Sequence, residues 1–273
     1  MSINHYICGY IIILKVMNLD LISLLSGYES ITLEEMGKVK LMNRTDTKYV
    51  VSLPVLAEIL SRATEHYWVQ EINGERTPLY RTTYMETYDY AMYHAHQSGK
   101  KCREKIRVRT YAISGISFLE VKNKNNKGRT KKKRIQVQSK ESLRADGGNE
   151  FLKQYAWYEL DELTFHLENS FNRITLVNKG MTERLTIDLN LAFHNLHTDK
   201  GCSLERLAIV ELKRAGKSYS KIADIMKELR VKPSGFSKYC IGTALTSDKV
   251  KINRFKRKLR MAEKLMCRKL LLT

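Results

Sequence analysis

The sequence predicts an α+β fold built on antiparallel strands that are apolar on one side and cationic on the other. Three observations carry this. Residues 99–134 hold fourteen Lys or Arg and only two acids, Glu104 and Glu120. Within that stretch Arg103, Lys105, Arg107 and Arg109 fall two apart, and a strand puts residues two apart on one face. Ile106 and Val108 then point the other way. The alternation returns twice: Glu120, Lys122 and Lys124 against Leu119 and Val121, then Lys132 and Arg134 against Ile135 and Val137. The connections Ser114-Gly115 and Asn125-Asn126-Lys127-Gly128 suit hairpins.

Such a face is either solvated or lines a concavity, and the alternation alone allows both. Like charges side by side destabilise a sheet. A polyanion with many oxygens would relieve that repulsion, since Arg forks match phosphate geometry and Lys adds point charge. A net charge of +19 over 273 residues likewise implies a polyanionic partner: nucleic acid, polyphosphate, nucleotide or an anionic membrane surface. A hydrophobic content of 43% supports a real core, and three Pro with fourteen Gly argue against long disordered regions.

The chain also excludes several chemistries. Five scattered cysteines contain no CxxC pair, so neither a zinc site nor a disulfide framework is indicated, and a reducing cytoplasm is the simplest location. There is no GxxxxGK[ST] loop, GxSxG elbow or HExxH. His94 and His96 form an HxH pair without a third ligand nearby in sequence. Residues 6–17, YICGYIIILKVM, are too short to span a bilayer and lack a basic leader and cleavage site. Met17 is an alternative start.

Taken in order, residues 18–37 read as a short helical region with Leu21, Leu24, Leu25 and Ile31 apolar. A strand through Arg44, Asp46 and Lys48 follows. Ser52 resembles an N-cap, with Pro54 in the first turn of a helix that buries Leu56, Ile59, Leu60 and Ala63. Residues 79–93 alternate aromatic and polar groups and read as a strand entering a turn. After the three basic strands, residues 139–170 read as helical, with acids at Glu159, Asp161 and Glu162. Strands follow through Arg173, then through Arg184, Thr186 and Asp188, then through Glu211 and Lys213. Residues 218–230 read as a helix, and the last 25 residues as a strongly basic one. Ten basic residues lie between 249 and 269, and Ile252, Phe255, Leu259, Ala262 and Met266 recur at helical spacing. That helix either guides a polyanion, touches an anionic membrane, or is simply solvated and packed on the domain.

The motif series RTDTKYV, RTTYMETYDY, REKIRVRTY, FLEVKNK, GRTKKKRI, FNRITLV, ERLTIDLNL, IVELK and GFSKY resembles the VTC domain in its bacterial stand-alone form, over roughly residues 40–245. VTC domains are the polyphosphate polymerase modules of the vacuolar transporter chaperone family, within the triphosphate tunnel metalloenzymes. The resemblance implies a closed antiparallel β-barrel with packed helices, an N-terminal extension over residues 1–39, a tunnel domain over 40–245 and a basic C-terminal helix over 246–273. It implies transfer of the γ-phosphate of ATP to a growing polyphosphate chain with Mn²⁺ or Mg²⁺. By motif, Lys48, Arg107, Arg109, Lys122, Lys132, Arg173 and Lys238 would bind phosphate, and Glu211 a metal. Lys131 and Lys133 compete with Lys132, which strand parity favours. Arg107, Arg109 and Glu211 would be catalytic through charge stabilisation. An internal salt bridge is the alternative for Glu211 and Asp188.

The usual Y-F-D-T is Tyr84-Met85-Glu86-Thr87 here, and Phe171 stands where some relatives carry Tyr. The same tunnel would serve a metal-dependent tripolyphosphatase or nucleoside triphosphatase, and a non-catalytic polyanion binder is the alternative of another class. An aromatic RNA-recognition motif is missing, so no specific nucleic acid is expected. The expected partners are ATP and polyphosphate. The expected location is the cytoplasm, with peripheral contact to an anionic membrane or a membrane protein at its inner face left open.

Overall fold

The computed structural model describes residues 21–37, 39, 44–216 and 218–270. The apolar stretch 6–17 and Met17 lie outside them. The chain divides into two compact units. The first holds the residues through Thr77, Arg173–Asp188 and Arg206–Gly235; the second holds Pro78–Asn172, Leu189–Glu205 and the residues from Phe236 on.

In the first unit, residues 21–26 are helical. Then come β1 (Ser30–Ile31), α1 (Leu33–Gly37), β2 (Arg44–Ser52), α2 (Leu53–Ala63) and β3 (Tyr67–Gln70). The C-terminal part of β8 (Leu163–Asn178) and the N-terminal part of β9 (Glu183–Asn195) belong here, with β11 (Leu207–Ala215) and α5 (Lys221–Glu228). β11 pairs antiparallel with β2 on one side and with β9 on the other. β3 pairs antiparallel with β8 and parallel with β1. α2 buries Leu56, Ile59, Leu60 and Ala63 as its spacing predicts, and Pro54 sits in its first turn. Ser52 has the extended backbone of an N-cap, but its hydroxyl caps nothing. The first helical amide, Leu53 N, donates to the Arg206 carbonyl at 3.3 Å, and Pro54 at the second position has no N–H for the Ser52 hydroxyl to accept.

The second unit contains β4 (Leu79–Thr87), α3 (Ala91–Gln97), β5 (Arg103–Tyr111), β6 (Ser117–Lys124) and β7 (Thr130–Val137). It continues with α4 (Gly148–Tyr155), β10 (Gly201–Leu204), α6 (Lys238–Thr246) and α7 (Lys256–Met266). The N-terminal part of β8 pairs with β4, and β4, β5, β6 and β7 follow as antiparallel neighbours. The β6–β7 turn closes with Gly128 at φ +79°, a backbone region open to glycine without steric cost. Ile106, Val108, Leu119, Val121 and Val137 are buried with Phe151 and Leu152 of α4. This is the apolar side that alternation predicts, and it leaves the cations together on the opposite face.

The α+β class and antiparallel sheet stand, but the barrel is not closed. In the strand order β2 and β7 are the two ends: among the described residues β2 pairs with β11 alone and β7 with β6 alone. A physical reason lies in β7 itself. Thr130, Lys131, Lys132, Lys133 and Arg134 are all exposed, and a charged edge strand resists further pairing.

Other expectations change as well. β4 ends at Thr87, and the HxH pair lies on α3. Only Gly148–Tyr155 is α-helical within 139–170, and β8 begins at Leu163. Glu159 and Glu162 cap one 3₁₀ turn reciprocally. The C-terminal helix is confined to Lys256–Met266. Among the described residues, no helix is long and apolar enough to cross a membrane.

α6 packs through a glycine. A Cβ on Gly242 would lie 2.5 Å from Phe193 Cδ1 and 2.7 Å from Leu167 Cδ2. Gly242→Val is therefore expected to lower stability by about 1–3 kcal/mol through overpacking, measured by urea unfolding. An unchanged midpoint would show that α6 can shift away without loss.

Candidate functional site

In the first unit, antiparallel pairing builds charged rows across β2, β11 and β9. Lys48 lies opposite Glu211, and Glu211 opposite Thr186. The next row is Asp46, Lys213 and Arg184; the third is Val50, Ile209 and Asp188. Partners across a ladder share a face, so these charges are neighbours. Glu211 Oε1 meets Lys48 Nζ at 2.5 Å and its Oε2 meets Lys213 Nζ at 3.4 Å. Arg173 forks onto Asp188, with Nε to Oδ1 at 2.6 Å and Nη2 to Oδ2 at 2.9 Å. Burial alone would raise the Glu211 pKa. Lys213, Lys48 and Arg173 outweigh it and hold the carboxyl well below its usual range. Burial also pushes the Lys213 ammonium down to about 8, against the pull of Glu211 and helped by Arg173 and Lys48.

In the second unit the rows run across β4, β5, β6 and β7. Thr82, Arg109, Phe118 and Gln136 form one; Tyr84, Arg107, Glu120 and Arg134 the next. Lys105, Lys122 and Lys132 share the third, and Arg103, Lys124 and Thr130 the fourth. Glu120 is fully buried at the centre of this face. Its Oε2 accepts from Arg107 Nε at 2.7 Å and meets Arg107 Nη2 at 2.6 Å, while its Oε1 is ion-paired with Lys132. Burial would raise the Glu120 pKa, but Arg107, Arg109 and Lys132 hold it at about 2. Arg109 Nε donates to Thr82 Oγ1 at 3.2 Å, and its guanidinium lies 5.9 Å from the Tyr80 and Phe171 rings.

The structure brings Lys48, Arg173 and Glu211 together in the first unit. In the second it puts Arg107, Arg109, Lys122 and Lys132 on one sheet face. Register resolves the lysine run: Lys131 and Lys133 lie opposite Asn123 and Val121, on the side away from Glu120. Lys238 is the first residue of α6 and not part of a strand, because Ser237 caps that helix by accepting from Cys240 N. Its Nζ lies 4.3 Å from the Phe171 ring. Phe171 thus lacks a hydroxyl but offers a π face to two cations.

Glu86 has a structural role. It is buried, accepts from Met92 N and Tyr93 N at the start of α3, and takes the Tyr239 hydroxyl of α6. Burial raises its pKa to about 7 against those amides. His94 is exposed and His96 turns inward, since residues two apart on a helix do not face each other; the HxH pair does not form a metal site by itself. Two residues were missed as site members, Glu120 and Lys213. Each stands two positions from a residue already singled out, Lys122 and Glu211, so period-two parity was the signal for both.

Glu120→Gln should destabilise the protein by about 3–5 kcal/mol, because it leaves buried Arg107 without its counter-charge. Tripolyphosphate should restore much of the lost melting temperature; a variant as stable as the parent would remove Glu120 from the electrostatic centre. Lys213 yields a pH test. A bound polyanion favours the ammonium form, so above about pH 8 tripolyphosphate binding should take up protons. Calorimetry in buffers of different ionisation heat would detect this uptake, which should vanish in Lys213→Arg because arginine stays charged. Equal heats in all buffers for the parent protein would refute the depressed lysine.

A family model described as the VTC domain matches residues 43–247. No curated protein matches the chain. Among solved structures, the PH1012 protein from Pyrococcus horikoshii OT3 is similar at 11% identity and a TM-score of 0.38, covering 69% of this chain and 91% of that one. The putative adenylyl cyclase HpAC1 from Hippeastrum, described as having a dominant triphosphatase activity, is similar at 10% identity and a TM-score of 0.43, covering 76% of this chain and 98% of that one. Likeness at that level fixes neither fold nor function. The family match spans most of the chain and contains both charged clusters: the chain belongs to the VTC domain family.

Proposed function

We propose that the protein is a metal-dependent phosphotransferase that moves the γ-phosphate of ATP onto a growing polyphosphate chain. The observation that carries this is the interleaving of cations and carboxylates on its sheet faces, in a member of the VTC domain family. Phosphoryl transfer asks mainly for alignment and charge stabilisation, with little covalent chemistry from the protein. Arg107, Arg109, Lys122, Lys132 and Lys238 would bind phosphate oxygens in the second unit, and Lys48, Arg173 and Lys213 in the first. An incoming polyphosphate end already carries its nucleophilic oxygen, so no activated Ser or Cys is required.

The donor set bears on the metal. Among the described residues, no three His, Cys, Asp or Glu stand together. A Mg²⁺ or Mn²⁺ ion held by one protein carboxylate, with phosphate oxygens and water completing its shell, needs no such cage. Glu211 fits that role, because among the described residues its oxygens are ion-paired with Lys48 and Lys213, and both ammoniums could turn to phosphate. Asp188 is committed to the Arg173 fork. When bound, the ion would supply charge neutralisation on the transferred group.

The test is incubation with ATP and Mn²⁺ or Mg²⁺, scoring polyphosphate against free phosphate. Polyphosphate is expected. Free phosphate alone would make the protein a triphosphatase, and neither product would make it a binder. In Glu211→Gln, turnover should fall by about a hundredfold or more, while tripolyphosphate binding persists through the remaining cations. Turnover unchanged in that variant would limit Glu211 to an internal ion pair.

A further inference from the structure

The polar face of β5 does not end at the Glu120 cluster. Beyond Arg107 it continues through Lys105 to Arg103, which lies opposite Lys124. From Arg109 to Arg103 the strand covers six residues, about 20 Å, more than three phosphates occupy. Lys105 Nζ reaches Ser237 Oγ at 2.9 Å and lies 5.7 Å from the Tyr239 ring. The His96 ring is 6.2 Å from the same Tyr239 ring. The 3₁₀ turn before α7 adds Arg254, whose guanidinium fills the space above Gly99, and α7 adds Lys258.

This end of the face differs from the part around Glu120 in one respect. Among the described residues, Arg103, Lys105, Lys124, Arg254 and Lys258 form no ion pair with a carboxylate. Arg103 Nε is buried without a hydrogen-bond partner. Burial depresses the Lys258 ammonium against an opposing pull from Cys240, and Arg254, Lys105 and Arg103 each add a smaller push in the same direction as burial. Elsewhere on the same face an embedded carboxylate offsets the repulsion; here cations gather around an unpartnered guanidinium N–H, an arrangement that an anion would complete.

We infer that Arg103, Lys105, Lys124 and Lys258 form a second phosphate-binding site, which takes the distal phosphates of a linear polyphosphate longer than the triphosphate held around Glu120. This rests on the phosphate-chain reading above. α7 extends the site outward: Lys256, Arg257, Arg260 and Lys264 are exposed, while Phe255, Leu259, Ala262 and Met266 are buried against the protein. With its apolar side already covered, the helix offers charge and not a membrane-inserting face.

The experiment uses the full chain, the Lys124→Gln/Lys258→Gln double variant, and two probes, tripolyphosphate and long-chain polyphosphate. Tripolyphosphate affinity should be unchanged. Long-chain affinity should weaken by about tenfold or more, the lower end of what one charge-assisted contact supplies, with a shallower salt dependence. Equal weakening of both probes, or of neither, would overturn the site. Vesicles of phosphatidylcholine with phosphatidylglycerol form a third arm. If vesicle binding is lost in the variant while long-chain affinity persists, the cluster serves lipid headgroups and the inference fails. Lys258→Gln alone should show the same discrimination at smaller size if the double variant does not fold. ATP turnover is scored separately: release of free phosphate alone would sink the polymerase reading yet leave the long-chain difference standing.

Discussion

Mutual repulsion among cations on a sheet face is the constraint that organises this structure. Two like charges about 5 Å apart repel by about 3 kcal/mol at an effective dielectric of 20, and β5, β6 and β7 set several such pairs side by side. The fold holds because single carboxylates are embedded among them. Glu120 sits between Arg107 and Lys132, Glu211 between Lys48 and Lys213, and Asp188 in the fork of Arg173. Each acid neutralises part of its surroundings and leaves a net positive field. Such a face is stable by itself and keeps an excess of positive charge.

The apolar side of the same strands provides the offsetting stabilisation. Ile106, Leu119 and Val121 are almost completely buried, and each such side chain contributes about 1.5–3 kcal/mol. α4 covers that side with Phe151 and Leu152. α6 is tied to α3 through Glu86, whose carboxylate takes two α3 amides and the Tyr239 hydroxyl. Glu86 illustrates how an acid in a recognisable motif can serve the scaffold while neighbouring acids serve the charged face.

Burial also shapes the chemistry that the charged groups can offer. Lys213 and Lys132 both lose basicity through desolvation, while Glu120 and Glu211 are held ionised by the cations around them. The two kinds of group thus respond in opposite ways to the same partly dry environment. Phosphate oxygens entering it would meet donors whose hydration has already been removed, a condition that strengthens each contact.

Period-two alternation was enough to assign the faces of β5, β6 and β7, to place Arg107, Arg109 and Lys132 together, and to separate them from Ile106, Val108 and Leu119. The helix at Leu53–Ala63 and its buried side were equally legible, because spacing and a first-turn proline are local signals. The motif order also led to the family. Several features depended on partners distant in sequence and were not readable from it. The first amide of the Leu53–Ala63 helix found its acceptor on Arg206 while the Ser52 hydroxyl caps nothing, and Glu86 acquired its role from α3 and Tyr239. Lys238 became the first residue of a helix because Ser237 caps it, and the sheet stayed open with β2 and β7 at its ends. Alternation states which side a residue faces. Only the tertiary structure decides what stands opposite it, since hydrogen bonds and ion pairs form between atoms that the chain brings together from far apart.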